Sequence, residues 1–74
     1  MPRMTCSSIQ IRINGEPRTV SSSLTLAELL QSLQLNSQNV VVELNRQVVA
    51  RERLGEVAPG EGDEIEIVHF VGGG

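Results

Sequence analysis

A single amphipathic helix constrains the fold of this 74-residue chain more than any other feature. Thr25 and Glu28 have the spacing of a capping box, in which each side chain accepts a hydrogen bond from the other residue's backbone amide. Leucines then recur with the i, i+3, i+4, i+7 period of one helix face, at positions 26, 29, 30 and 33. This spacing predicts a helix over about residues 26–34, with Asn36 as a left-handed C-terminal cap. A chain this short has one core, which the leucine stripe must face.

Strand patterns precede the helix. Residues 9–13 alternate isoleucine with polar residues, which is the period of a strand with one face on a core. Asn14 and Gly15 follow, and both tolerate the positive φ of a type I′ hairpin turn. Pro17 has no amide hydrogen to donate, so it is typical of a strand start or a sheet edge. We therefore predict a return strand at residues 18–20, after a loop that extends to Pro17.

Three more strand signals follow the helix. Residues 40–44 are rich in valine, a β-branched residue that favours strands. A turn at residues 45–47 leads to a predicted short edge strand at residues 48–49. The turn residues of segment 59–63 then precede a last strand that begins at Glu64. The order strand, strand, helix, strand, short strand, strand predicts an α+β domain, a mixed four- to five-stranded sheet packed on one main helix.

Composition excludes several classes of function. The net charge of −3, from six arginines and nine acidic residues, disfavours nucleic acid as a partner. No apolar run approaches the roughly 20 residues that span a bilayer, and none near the start is long enough for a secretory signal, so we expect no membrane contact and a cytoplasmic location. The single cysteine and the lack of a Cys/His cluster predict no metal site. No catalytic set of side chains is apparent either.

The C-terminal end is where chemistry is expected. We assign residues 1–8 to a flexible N-terminal tail, 9–71 to the folded domain and 72–74 to a flexible glycine tail. Gly72, Gly73 and Gly74 have no side chain and can enter a channel that a Cβ atom would block. The α-carboxylate of Gly74 is ionised at neutral pH and can attack an activated phosphate. The product is an acyl phosphate, a mixed anhydride whose carbonyl carbon a sulfur nucleophile can attack with the phosphate as leaving group. The chain would then be a substrate and carrier rather than an enzyme.

Apolar residues beside this tail predict a docking surface. Val68 and Phe70 lie on the outward side of the last strand, Val41 lies on the corresponding side of the third strand, and Val71 begins the tail. An exposed apolar cluster that includes the only aromatic residue is typical of a protein-binding patch. The neighbouring acidic residues favour a partner with a basic rim.

Three of these features together resemble a known family: the order of the elements, the turn at residues 59–63, and the ending at residues 70–74, Phe-Val-Gly-Gly-Gly. They resemble the ubiquitin-like β-grasp sulfur carriers. Residues 42–45 and 48–51 resemble the middle of the ThiS family, where a strand, an asparagine turn, a short strand and an arginine recur. The resemblance covers about residues 9–74 and implies a ubiquitin-like β-grasp fold.

The resemblance also implies a reaction and its partners. The carboxylate of Gly74, the last residue of the diglycine that it forms with Gly73, would be adenylated with ATP by a ThiF-type adenylyltransferase. A cysteine-derived sulfur donor would then convert it to a thiocarboxylate. A ThiG-type thiazole synthase would take the sulfur for thiazole formation in thiamin biosynthesis. No cofactor would be bound by the carrier itself, which we expect to be a monomer when free.

Three alternatives remain open at this point. A molybdopterin-type sulfur carrier has the same fold and terminus, although those carriers usually approach the diglycine through a proline-rich segment that residues 67–71 lack. A ubiquitin-like modifier would instead end in an isopeptide bond to a lysine of another protein. An interaction domain with an inert terminus is the third.

Overall fold

Within residues 7–70, five strands and one α-helix occur in the order that the sequence predicts. The computed structural model describes residues 7–70, so the predictions for residues 1–6 and 71–74 lie outside the described part of the chain. Two short 3₁₀ turns, Ser37–Asn39 and Arg51–Arg53, complete the structure. The main elements are β1 (Ser8–Ile13), β2 (Glu16–Ser21), α1 (Leu26–Ser32), β3 (Val40–Leu44), β4 (Gln47–Val49) and β5 (Glu64–His69).

The strands form one mixed sheet in the order β2-β1-β5-β3-β4. β1 and β5 pair in parallel, and all other neighbours are antiparallel. The last strand in the sequence is therefore the central strand of the sheet, held on both sides. Pro17 lies in β2, an edge strand, which agrees with its missing amide hydrogen.

The helix begins at the predicted capping box. The Thr25 hydroxyl accepts a hydrogen bond from the Glu28 amide at 3.1 Å, and the Glu28 carboxylate accepts one from the Thr25 amide at 3.0 Å. The amide of Ala27, in the first turn of the helix, has a partner outside the helix, because it donates to the carbonyl of Leu54 at 2.9 Å. This bond ties the helix start to the loop that precedes β5.

The helix ends earlier than predicted, and Asn36 is not its cap. Gln34 takes the left-handed conformation with φ 61°, its amide donates to Gln31, and the amide of Leu35 donates to the carbonyl of Leu30 at 2.9 Å. These two bonds form a Schellman motif, which the apolar pair Leu30 and Leu35 accompanies. Asn36 instead caps the following 3₁₀ turn, where its side chain accepts from the Gln38 amide.

The core lies between the helix and one face of the sheet. Leucines of α1 pack against isoleucines and valines of β1, β3 and β5, as the alternating patterns predict. Leu54, which follows the second 3₁₀ turn, closes the core from the loop side. The buried hydrophobic residues of this core are Ile11, Leu26, Leu29, Leu30, Val40, Val42, Leu54, Ile65 and Ile67.

Both hairpins turn through residues with positive φ. Asn14 and Gly15 have φ values of 52° and 87°, as the predicted type I′ turn requires. Glu16 already pairs with Ile13, so this loop has two residues and does not extend to Pro17 as predicted. β1 likewise begins at Ser8, one residue before the predicted domain boundary.

Candidate functional site

The central strand β5 divides the molecule into a buried face and an open face. Ile65 and Ile67 are 1% and 7% exposed on the helix side. Glu66 and Val68 alternate with them and point away from the core, because successive side chains of a strand lie on opposite faces. β5 ends at His69, and Phe70 continues it by donating its amide to the carbonyl of Asn39 at 3.1 Å.

Three predicted docking residues lie together on the open face. Val41 of β3 is directly opposite Val68 of β5, and Phe70 follows two residues later on the same side. Val68 is 50% exposed and Phe70 is 42% exposed, whereas Val41 is half-buried. We call Val41, Val68 and Phe70 the outer patch. The fourth predicted residue, Val71, lies outside the described residues, and the docking role of all four stays a prediction.

Val48 belongs to the same open face, although sequence reasoning did not include it among the docking residues. It is 66% exposed in β4 and pairs with Glu43 of β3. The turn is shorter than predicted, because Gln47 already pairs with Leu44 and only Asn45 and Arg46, both with positive φ, connect the strands. A two-residue turn sets the register of the strands beside it and so places Val48 on the face of Glu43.

Carboxylates lie next to the outer patch. Glu43 and Glu66 are directly opposite each other on β3 and β5, and Glu64 follows on the same face. The nearby Arg12 donates to the carbonyl of Gly15 at 3.3 Å. Within residues 7–70 the ion pair present, Arg53 with Glu56 at 3.7 Å, lies elsewhere on the surface. The open face therefore presents apolar side chains beside carboxylates that form no ion pair within residues 7–70, although Arg12 lies opposite Glu64 in the sheet.

The described residues contain no cluster of three His, Cys, Asp or Glu side chains that could hold a metal ion. His69 is exposed at the end of β5, in register with Val40. No helix within residues 7–70 has the length and apolar composition required to cross a bilayer. The predicted sulfur-carrying residue Gly74, and Gly72 and Gly73 before it, lie outside the described residues.

These features define a class of protein. A five-stranded mixed sheet covers one helix, and its central strand leads through an exposed apolar patch to a C-terminal glycine run. This is the arrangement of a ubiquitin-like β-grasp domain that ends in a diglycine. The chain belongs to the ThiS family, because residues 11–74 match the sequence pattern of that family.

Individual relatives agree with this assignment. The chain is 50% identical over 65 residues to the sulfur carrier protein ThiS of Bacillus subtilis, which covers 86% of this chain and 98% of that protein. It is similar to the crystal structure of the thiamine biosynthesis protein ThiS from Geobacter metallireducens, with a TM-score of 0.77 and 38% identity over 89% of this chain and 100% of that one. The predicted β-grasp fold and ThiS resemblance are thus confirmed.

A second kind of relative is much longer. The chain is 44% identical over 66 residues to a thiazole synthase of Magnetococcus marinus, a match that covers 89% of this chain. The chain spans only 20% of the length of that synthase. A ThiS-like segment is therefore part of a larger polypeptide in that protein.

Proposed function

We propose that this chain is a sulfur carrier of thiamin biosynthesis and that Gly74 carries the sulfur. The observation that supports this most directly is the extent of the family match, which runs through the last residue of the chain. The carrier from Bacillus subtilis is matched over 98% of its length, which supports a role for the whole domain. In this role the chain is a substrate of other enzymes and not an enzyme itself.

The reaction takes place on the α-carboxylate of Gly74. A carboxylate oxygen attacks the α-phosphorus of ATP, pyrophosphate leaves, and the terminus becomes an acyl adenylate. A sulfide equivalent from a cysteine-derived donor then attacks the acyl carbon, and AMP leaves to give a thiocarboxylate. Gly72 and Gly73 leave the carbonyl without side-chain shielding on that side of the chain. ATP and the sulfur donor are bound by the activating enzyme, which we propose to be a ThiF-type adenylyltransferase.

The folded domain contributes recognition of that enzyme. Ordering three glycines in an active site costs about 1–2 kcal/mol per residue, which contacts elsewhere must offset. The outer patch lies immediately before the tail and exposes Val68 and Phe70, so it can supply apolar contacts close to the reacting end. Glu43 and Glu66 beside it favour a partner with arginines or lysines around an apolar pocket, and would accelerate the encounter.

The acceptor of the sulfur is proposed to be a ThiG-type thiazole synthase. Support comes from the thiazole synthase of Magnetococcus marinus, in which a segment similar to this chain is joined to a much longer polypeptide. Covalent linkage keeps two modules at high effective concentration, which favours pairs that act on each other. This observation favours the thiazole pathway over a molybdopterin-type role.

Intact-protein mass spectrometry tests the proposal. The full chain is incubated with a ThiF-type adenylyltransferase, ATP and a cysteine-fed sulfur donor, and its mass should rise by the difference between one sulfur and one oxygen atom. A variant that lacks Gly72, Gly73 and Gly74 should keep the native spectrum of the domain and show no conversion. An unchanged mass, under conditions that convert the Bacillus subtilis carrier, would contradict the proposal. Products linked to lysines of other proteins would indicate a modifier instead.

A further inference from the structure

The side chain of Asn14 reaches across the sheet to the backbone of β5. Its Oδ1 accepts a hydrogen bond from the Ile67 amide at 2.9 Å, and its Nδ2 donates to the Ile67 carbonyl at 3.3 Å. Both bonds are partly buried and join residues 53 positions apart in the sequence. One side-chain amide therefore satisfies both backbone groups of a single residue in the central strand.

These bonds take the place of a strand neighbour. β1 pairs with β5 only up to Ile13 and Ile65, and the Asn14 amide then donates to the Ile65 carbonyl at 2.9 Å. After that the chain turns away, with Asn14 at φ 52°. The next backbone donor and acceptor on this side of β5 are those of Ile67, and the Asn14 amide group pairs with both as the next peptide group of a strand would.

Hydrogen bonds therefore extend further along β5 on its β3 side than on its β1 side. On the β3 side, backbone pairing continues to Phe70, which donates to Asn39 at 3.1 Å. On the β1 side, among residues 7–70, the bonds between Asn14 and Ile67 are the last ones. Val68 and Phe70 follow Ile67, so beyond the Asn14 bonds the described end of β5 is held from the β3 side alone.

We propose that Asn14 is a positioning residue for the reaction at the C-terminus, acting through the backbone of Ile67. The inference rests on the proposed carrier function. By holding both backbone groups of Ile67, Asn14 supports the β1 side of the end of β5, whose β3 side is held by pairing through Phe70. An adenylyltransferase that contacts the outer patch then receives the tail in one orientation rather than several. Misplacement by about 1 Å can cost an enzyme roughly a hundredfold in rate, so such pre-orientation has a measurable effect.

Asparagine suits this role for two reasons. Its amide carries a donor and an acceptor, and it tolerates the left-handed conformation that the turn requires. Aspartate keeps the acceptor for the Ile67 amide but loses the donor to the Ile67 carbonyl. Glycine keeps the turn and loses both bonds, so the substitution Asn14→Gly removes the attachment with little disturbance of the hairpin.

The chain contains a matched control at Asn45. This residue also has φ 52° in the other hairpin, and its side chain accepts from the Glu64 amide at 3.0 Å and donates to the Asp63 carboxylate at 3.2 Å. It therefore holds the first residue of β5, at the end far from the outer patch. Asn45→Gly should cost a comparable set of bonds without loosening the part of the strand that leads to the tail.

The experiment compares Asn14→Gly and Asn45→Gly as full-length chains, using a ThiF-type adenylyltransferase and ATP, with adenylation followed by ATP–pyrophosphate exchange. Asn14→Gly should lower kcat/KM by about tenfold or more, and Asn45→Gly by less than about twofold. Amide hydrogen exchange gives an independent readout, in which the Ile67 amide should exchange about tenfold faster in Asn14→Gly, while protection of the helix stays unchanged. Asn14→Asp, which keeps one of the two bonds, should fall between Asn14→Gly and the parent.

Equal kcat/KM for the two glycine variants would overturn the inference, as would faster exchange at Ile67 with unchanged adenylation. If Asn14→Gly does not fold, the same comparison is made with Asn14→Asp and Asn45→Asp, and equal kcat/KM for that pair has the same meaning. Failure of the proposed function is distinguishable, because the parent chain itself would then not be adenylated.

Discussion

The two faces of β5 differ although they share one backbone. Ile65 and Ile67 face α1 and are almost fully buried, whereas Val68 and Phe70 face outward and remain about half exposed. All four are apolar, so hydrophobicity alone does not decide which of them stabilise the domain. The difference is that a helix covers one face and no described element covers the other. Residue type indicates the strand, and topology determines what each side chain does.

Charge separates the two faces as well. The core contains no buried polar or charged side chain among the described residues. The open face instead places Glu43 directly opposite Glu66, an arrangement in which like charges destabilise a sheet. This pair does not help the fold and lies beside exposed apolar residues, which is the composition that the proposed docking role predicts.

The largest predicted difference between the faces is in stability. Ile65→Ala should lower the free energy of unfolding by about 2–5 kcal/mol, because it removes buried methyl groups and leaves a cavity beside the helix. Val68→Ala on the same strand should cost less than about 1 kcal/mol, since that side chain is half exposed. Urea denaturation followed by circular dichroism measures both values. Equal losses would mean that the open face is covered in solution.

The second prediction concerns binding. Phe70→Ala should weaken the complex with a ThiF-type adenylyltransferase about tenfold or more, because aromatic residues at the centre of an interface are common hot spots. Its effect on stability should be small in comparison. Val48→Ala is the matched control, since Val48 is also exposed but is separated from Val68 by Glu43. Calorimetric titration measures the affinity of each variant for the adenylyltransferase. Equal losses of affinity would show that the docking surface extends to β4.

Much of this fold could be predicted from local patterns. The capping box of Thr25 and Glu28, the leucine stripe and the positive φ of Asn14 each involve residues within a few positions of one another, and the structure has all three. The alternation of Ile65 and Ile67 with outward residues was correct for the same reason. Such features depend on backbone periods and capping chemistry, which act over one or two turns.

What could not be predicted depends on contacts between distant residues. Gln34 is a poor left-handed residue, yet the helix ends there because the resulting Schellman motif brings Leu35 against the core. The bonds of Asn14 to Ile67 join positions 53 residues apart, which no local pattern reveals. The candidate site also has a part that local patterns predicted and a part that they did not. The neighbouring positions of Val41 and Val68 followed from strand periods once the pairing was known, and the roles of residues 71–74 remain predictions.

The smallest predicted effect tests the charges of the open face. Glu66→Gln removes one of two opposed carboxylates, so it should raise the free energy of unfolding by about 0.2–0.5 kcal/mol at low ionic strength. The gain should shrink as salt is added, because exposed charges are screened. Glu52→Gln is the control for net charge, since Glu52 lies in the exposed 3₁₀ turn away from the sheet.

The same Glu66→Gln variant should associate more slowly with an adenylyltransferase, because it lacks one of the charges that attract a basic rim. If Glu66→Gln lowers the free energy of unfolding, or matches Glu52→Gln in both unfolding free energy and association rate, the opposed pair is no more than ordinary surface charge.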